Sequence, residues 1–124
     1  MILIEPASGE FDVDRVTAYL AAQPFALRDT IRAEMFMLGN DDDDVEEARE
    51  AREKDPVRFP THMILVEVWP TRINISYRSQ RLDPAKRFVE WLRERYDLRF
   101  MDEEFNDITE RARKTNVLFG DSDG

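Results

Sequence analysis

The segment 62–78 most constrains what this chain can fold into, because its apolar side chains alternate along two short runs separated by a turn. The first run spans residues 62–69 and the second spans 73–78, with Pro70 and Thr71 between them. A period of two places alternate side chains on opposite faces of a β-sheet. The segment therefore predicts a β-hairpin whose first strand has one apolar face, made of Ile64, Val66 and Val68.

Apolar residues recur at helical spacing in three other parts of the chain. The first helix is predicted after Asp12, a residue type that caps helix N-termini well, and it ends before Pro24. The second begins where Asp83 is followed by Pro84 at the first helical position. A third helix, capped by Asp102, is predicted near the C-terminus. Further strands are predicted at residues 2–5, 31–38 and 98–101.

With the acidic segment 41–55 set aside, the order of these elements resembles the β-α-β-β-α-β pattern of ferredoxin-like domains with one additional strand. The resemblance is topological, covers residues 1–101, and rests on no diagnostic motif. It implies an α+β fold in which an antiparallel sheet carries its helices on one face. We expect a single domain over 1–124, with an exposed helical insertion at 41–55 between the second and third strands, a C-terminal helix, and a loose tail at 120–124.

Negative charge is concentrated in this acidic segment. It carries nine acidic and three basic residues, a net charge of −6, whereas the whole 124-residue chain carries −9. Its acidic residues come first and its basic residues later, which is the order that the helix dipole favours. Glu46 and Arg49, and likewise Glu50 and Lys54, are spaced for ion pairs on a helix. We expect a mostly exposed helix that packs lightly on the body of the protein.

The four consecutive aspartates at the start of the segment fit a metal site poorly. An EF-hand loop needs ligands at alternating positions and glutamate at the twelfth, but Arg52 stands twelfth from Asp41. The chain has no cysteine and one histidine, His62, so a zinc ion would need carboxylates for its other ligands. We expect no metal and no cofactor. The segment is then a solvated helix start, a surface for a basic partner, or both.

Catalytic motifs are absent from the sequence. None of the four glycines lies between a strand and a helix in a phosphate-binding pattern, and no G-x-S-x-G motif occurs. His62 enters a predicted strand after Pro60 and Thr61, where a structural role is the simpler interpretation. The sequence disfavours an enzymatic function but does not exclude one.

The acidic balance also bears on partners and on location. A net charge of −9 disfavours nucleic acid and anionic membranes as partners. A basic stretch at 72–87 carries +4, which we interpret as ordinary surface charge. No apolar run is long enough to span a bilayer, the N-terminus lacks the pattern of a signal peptide, and cysteine is absent, so we expect a cytoplasmic protein.

A sheet with its helices on one face leaves the other face open. The residues expected on the open face are Met63, Leu65 and Trp69, with Phe36 and Leu38 beside them. An apolar patch of this kind is usually covered by something. The candidates are a second copy of the chain, giving a homodimer, a partner protein, or the C-terminal segment 105–119.

The favoured hypothesis is a small acidic protein that binds a basic partner and occludes it. Immunity proteins that neutralise toxins and inhibitors of nucleic-acid-binding proteins work in this way. The acidic residues would steer association, and the apolar residues would hold the complex. The residues predicted to bind the partner are Asp41, Asp42, Asp43, Asp44, Glu46, Glu47, Glu50, Met63, Leu65 and Trp69.

Two alternatives belong to other functional classes. The first is a dimeric ferredoxin-like domain or enzyme that binds a small molecule through His62, Glu67, Tyr77 and Arg78. The second is a structural subunit of a larger assembly, in which the acidic segment serves as a docking arm. A ligand-binding cleft that contains His62 would favour the first alternative.

Overall fold

The computed structural model describes residues 1–78 and 81–114 of the chain. In these residues six strands form one antiparallel sheet, and four helices accompany it. The strands are β1 (Ile2–Pro6), β2 (Ala26–Arg28), β3 (Met35–Leu38), β4 (Ile64–Val68), β5 (Ile73–Ser76) and β6 (Leu98–Met101), and the helices are α1 (Val13–Ala21), α2 (Asp42–Lys54), α3 (Asp83–Arg93) and α4 (Thr109–Lys114).

The alternating segment forms the predicted hairpin. Val66 of β4 lies opposite Ile75 of β5, and Val68 lies opposite Ile73. These four side chains are at most 2% exposed, and they point to the same face of the sheet, which we call the core face. The Trp69 N–H donates to the carbonyl oxygen of Arg72 at 2.9 Å, which closes the turn between the two strands.

Two helices cover the core face. Leu20 of α1 and Phe88 and Leu92 of α3 are fully buried in the same cluster as the alternating residues of the hairpin. Complete burial of such a side chain contributes about 1.5–3 kcal/mol. The predicted cap of α1 is also present, because the Asp12 carboxylate accepts the N–H of Arg15 at 3.2 Å. The main core of the protein therefore lies between the core face and this helix pair.

The strand predicted at 31–38 is wrong over its first half. The regular strand β3 begins only at Met35, while Ile31 is 65% exposed in the loop before it. An additional strand, β2, precedes this loop and pairs with β3. The loop is closed by Asp29, whose carboxylate accepts the N–H of Arg32 at 2.8 Å. The alternation of apolar residues in the sequence thus continues across a turn, and the Asp29 side chain stabilises this turn.

Strand order in the sheet is β2-β3-β4-β5-β1-β6. The fold is α+β with an antiparallel sheet, as predicted. The ferredoxin-like order is not confirmed, because that pattern has four strands and this sheet has six. The hairpin β2–β3 extends the sheet beyond β4, and the acidic helix α2 follows this hairpin.

Helix α2 does not share the core face with α1 and α3. Its Ala48 is fully buried against Met37 and Met63, which belong to the face opposite the core face. We call this face the second face and this group of three the second cluster. Leu65 and Phe59 pack at its edge. Helices therefore lie on both sides of the sheet.

The C-terminal helix begins later in the chain than predicted. It begins at Thr109, and Ile108 and Ala112 are buried in the main core. The Asp102 carboxylate accepts the N–H of Asn106 in the preceding loop instead of capping the helix. The predicted loose tail at 120–124 lies outside the described residues.

Candidate functional site

Helix α2 begins with a set of side-chain caps that the sequence specifies locally. The Asp41 carboxylate accepts the N–H of Asp44 at 2.8 Å, and the Asp44 carboxylate accepts the N–H of Asn40 at 2.8 Å. These bonds satisfy N–H groups near the start of the helix that would otherwise lack partners. A Cβ atom at Gly39 would lie 2.7 Å from the Cβ of Asp44, so glycine is needed for the helix to start this close to β3.

A row of carboxylates follows the solvent side of α2, opposite the buried Ala48. It spans the 12 residues from Asp42 to Glu53, which corresponds to about 16 Å along the helix axis. The members of this row, which we call the acidic row, are Asp42, Asp43, Glu46, Glu50 and Glu53, and all five are exposed. Among the described residues, none of the five takes part in an ion pair, so the pairs predicted for Glu46 with Arg49 and Glu50 with Lys54 do not form.

The other predicted acidic residues have contacts within the protein. Asp41 and Asp44 cap the helix, as described above. Glu47 lies beside the His62 ring, with 3.9 Å between its Oε2 atom and the Nε2 atom of His62. The acidic residues predicted to bind a partner therefore divide into a free row and a group that positions the helix.

The predicted apolar residues do not form one open patch. Met63 is 1% exposed because α2 covers it, so the open face expected there is wrong. Leu65 is half-buried at the edge of the second cluster, and Trp69 is 42% exposed beyond the other end of β4. Phe36 and Leu38 belong to the core face, because they pair with Val66 and Ile64. The acidic helix itself is the cover, which was not among the expected candidates.

A buried ion pair fixes the C-terminal end of α2. The Arg52 guanidinium donates to the Asp29 carboxylate through Nε at 3.0 Å and through Nη2. Its Nη1 donates to the carbonyl oxygen of Arg58 at 2.9 Å, and its plane lies 4.2 Å from the ring centre of Phe59. Asp29 is 6% exposed and the Arg52 side chain is 10% exposed. This pair joins the helix, the loop between β2 and β3, and the segment after the helix.

The environment of Asp29 favours its charged form. Burial by itself would raise the pKa of this carboxyl. Hydrogen bonds from the Arg32 N–H and the Arg52 guanidinium, together with the charge on Arg52, outweigh burial and lower the pKa below its ordinary value. The carboxylate is therefore ionised, and the ion pair is intact, throughout the neutral range.

An open cleft of about 620 Å³ lies where α2 begins. His62 stands on its wall and donates through Nε2 to the carbonyl oxygen of Asp44 at 2.9 Å, since a carbonyl can only accept. Smaller clefts of about 400 and 190 Å³ adjoin it at Thr61. The residues that line the cleft of about 620 Å³ are Asn40, Asp41, Asp44, Thr61, His62, Arg78 and Arg81.

The four polar residues of the small-molecule hypothesis are only partly brought together. His62 and Arg78 share the cleft of about 620 Å³, and Tyr77 lines the cleft of about 190 Å³ together with Arg78. Glu67 does not join them, because it lies on the second face and accepts a hydrogen bond from Asn74 at 3.0 Å. The Oδ1 atom of Asn74 is buried without a hydrogen-bond partner.

Comparisons with known proteins add no family. No family model matches the chain, and no curated protein or solved structure matches it. Within residues 1–78 and 81–114, no three histidine or acidic side chains are grouped so as to hold a metal ion. In the same residues, no helix combines the length and the apolar character needed to cross a membrane. The function must be argued from the side chains themselves.

Proposed function

We propose that this protein binds a basic protein partner through the acidic row of α2 and occludes the surface that it covers. The observation that carries this proposal is the row itself. It consists of five exposed carboxylates on one helix face, without ion pairs to the described cations of the chain. Such a row attracts cations and accelerates association with a complementary surface.

The position of the row is fixed, which favours binding. Capping by Asp41 and Asp44 holds the first turn of α2, and the Arg52–Asp29 pair holds the last. A group that is already held in its bound position loses less conformational freedom on association. The helix thus presents its carboxylates as a rigid ridge about 16 Å long.

Apolar contacts are available near the C-terminal end of the row. Val57 is 85% exposed and directly precedes Arg58, whose carbonyl oxygen accepts from Arg52. Ile31 is 65% exposed and directly precedes Arg32, whose N–H binds Asp29. Both side chains therefore flank the buried ion pair. Met63 was predicted to supply such a contact but is buried. Val57 and Ile31 instead offer apolar area that a partner can bury.

The test is affinity capture with matched baits. The first variant changes Asp43, Glu46, Glu50 and Glu53 to the corresponding amides. The control variant removes the same number of exposed charges elsewhere, by amide substitution of Glu10, Asp14, Glu90 and Asp97. We expect the native protein and the control to retain the same basic protein from host extract at low salt, and the first variant to lose it.

Salt dependence separates the proposed contact from non-specific adhesion. Binding that depends on exposed charges weakens as salt screens them over a Debye length of about 8–10 Å. A basic protein that all three baits retain equally would contradict the proposal. Retention of acidic or neutral proteins alone would contradict it as well.

A second copy of the chain fits the second face less well than a basic partner does. Helix α2 stands on this face beside Leu65. Two copies stacked there would bring together two segments of net charge −6. Like charges at close range repel, so we favour a partner of opposite charge over a homodimer.

We also propose that the chain is a ferredoxin-like core with an insertion. The partial order β6-β1-β5-β4, with α1 before β4 and α3 before β6, supports this reading. The hairpin β2–β3 and helix α2 would then be the inserted unit. A variant in which a short linker replaces residues 24–60 should keep the pairing of β1 with β5 and β6, measured by backbone NMR. Loss of that pairing would count against the insertion.

Small-molecule binding at the His62 cleft is the second candidate function. Ligand pockets usually have volumes of about 300–1,000 Å³, and the cleft has about 620 Å³. Its wall carries both guanidinium and carboxylate groups, which suits a zwitterionic or anionic ligand. Thermal shift with a panel of such metabolites should raise Tm for the native chain and less for Arg81→Gln. No shift with any metabolite would remove this candidate.

A further inference from the structure

Most of the buried apolar residues fall into two separate clusters of unequal size. The main core contains the core face and the helices packed on it. The second cluster contains only Met37, Ala48 and Met63, with Leu27, Phe59 and Leu65 at its edge. The clusters lie on opposite faces of the sheet, so the loss of one does not by itself open the other. The attachment of α2 is therefore energetically separate from the main core.

Polar contacts provide much of the attachment of α2 to the sheet. Ala48 is its only fully buried side chain, and it is a small one. At the N-terminal end, the Asp44 carbonyl oxygen accepts from His62. At the C-terminal end, Arg52 binds Asp29 and the carbonyl oxygen of Arg58. A helix held in this way can separate from the sheet without disrupting a large apolar interface.

The Arg52–Asp29 pair can form only while α2 lies on the sheet, and it is lost when the helix separates from the sheet. Removal of one partner of a buried ion pair leaves the other charge buried without compensation. When the helix separates from the sheet, both charges return to water, which is favourable. Their mutual attraction and hydrogen bonds are lost, which is unfavourable. We propose that α2 is a cover that opens from the second face as a unit, and that the Arg52–Asp29 pair is the lock that holds it closed.

Opening would expose the two methionines beneath the cover while β1, β4 and β5 remain folded. Methionine side chains are flexible and adapt to altered surroundings, which suits a surface that is alternately covered and exposed. This inference does not require a basic partner, because it concerns only the balance between closed and open forms of the free chain. Failure of the binding proposal would leave it standing, and the reverse also holds.

The absence of cysteine permits a direct test by thiol labelling. A single cysteine replaces Met63, which lies beneath the cover, or Val66, which lies in the main core three residues further along the chain. Both native side chains are at most 1% exposed. With reclosing faster than labelling, the rate reports the population of the open form. We expect M63C to react at least about tenfold faster than V66C with a neutral thiol reagent.

The lock is tested by adding a second substitution to each labelled chain. Arg52→Gln should raise the labelling rate of M63C at least about tenfold, because it leaves Asp29 without its cation. The V66C rate should rise by a similar factor, because the open form and the unfolded state both lack the ion pair. Arg49→Gln removes an exposed arginine of the same helix and should leave both rates unchanged.

Three results would overturn the inference. Equal labelling rates for M63C and V66C would mean that the cover opens only when the whole protein unfolds. An unchanged M63C labelling rate in the Arg52→Gln background would mean that the ion pair is not the lock. Should M63C fail to fold, hydrogen exchange of the native chain makes the same comparison, and equal protection of α2 and β1 amides would contradict the cover.

Discussion

At the scale of single residues, Arg52 decides where the acidic helix lies. Its guanidinium binds a side chain 23 residues away in the sequence, a backbone carbonyl and an aromatic ring. No local pattern in the sequence marks such a contact, because the partner Asp29 lies in a loop before β3. The sequence could assign Arg52 only to the last turn of a helix, where the dipole favours a cation.

Substitution of Arg52 tests this contact through stability. Arg52→Gln should lower the free energy of unfolding by about 3 kcal/mol, because it leaves the carboxylate of Asp29 buried without a cation. Urea denaturation followed by circular dichroism measures the change. Arg49→Gln is the matched control and should stay within about 0.5 kcal/mol of the native chain, since Arg49 is exposed. Equal effects of the two substitutions would contradict the assigned role.

The lowered pKa of Asp29 predicts how stability responds to acid. In the folded state, hydrogen bonds from Arg32 and Arg52 oppose burial and hold the pKa of this carboxyl below its ordinary value. In acid the unfolded state therefore binds more protons at this position, so protons favour unfolding. The stabilisation is present above about pH 4 and is lost as pH falls through the depressed pKa.

Asp29→Asn isolates this contribution. The variant should have a lower free energy of unfolding than the native chain at pH 7. This difference in free energy, the stability gap, should narrow as pH falls below about 4. Asp102 and Asp107 also have pKa values lowered by hydrogen bonds, chiefly from Asn106 and Thr109, so acid sensitivity should not vanish. Urea denaturation at a series of pH values measures the gap. A constant gap from pH 7 to pH 2 would contradict the assignment.

At the scale of elements, local patterns were reliable where the interactions are local. The hairpin of β4 and β5 and the cap of α1 rest on neighbours in sequence, and both are present. The predicted start of α3 is one residue late, because the helix begins at Asp83 instead of Pro84 and has no side-chain cap. The strand predicted from Ile31 failed, because alternation does not show where a turn interrupts it. The helix at α2 was predictable from its charges, but its burial of Met63 was not, because a thin apolar stripe does not specify its partner.

Overpacking at Ala48 tests the contact between α2 and the sheet. This alanine is fully buried between Met37 and Met63, so Ala48→Leu should destabilise the protein by about 1–3 kcal/mol. Ala18→Leu, at an exposed position of α1, is the control and should change stability little. Urea denaturation compares the two variants. Equal stabilities would show that α2 does not pack on the second face.

At the scale of the whole molecule, the α+β class and the antiparallel sheet followed from the sequence, but the strand order did not. Pairing of β1 with β5 and β6 joins segments that are far apart in the chain, and no local signal sets such a choice. The net charge was equally visible in the sequence. The division of the acidic segment into capping residues and a free row appeared only with the fold.

The arrangement of α2 predicts the assembly state. Because this negatively charged helix stands on the second face, stacking of two copies is opposed by repulsion. We expect the purified chain to sediment as a monomer at micromolar concentration and low salt. A stable dimer under these conditions would contradict the proposed role of the second face.

The central claim is that the protein needs the acidic row in order to bind a basic partner. The most direct measurement is the Kd of the captured partner, determined by calorimetry at several salt concentrations, for the native chain and the two four-fold amide variants. We predict that substitution of Asp43, Glu46, Glu50 and Glu53 weakens Kd at least about tenfold at low salt and flattens its salt dependence. The control with substitutions at Glu10, Asp14, Glu90 and Asp97 should bind as the native chain does. Equal Kd values and equal salt dependence for all three proteins would contradict the account.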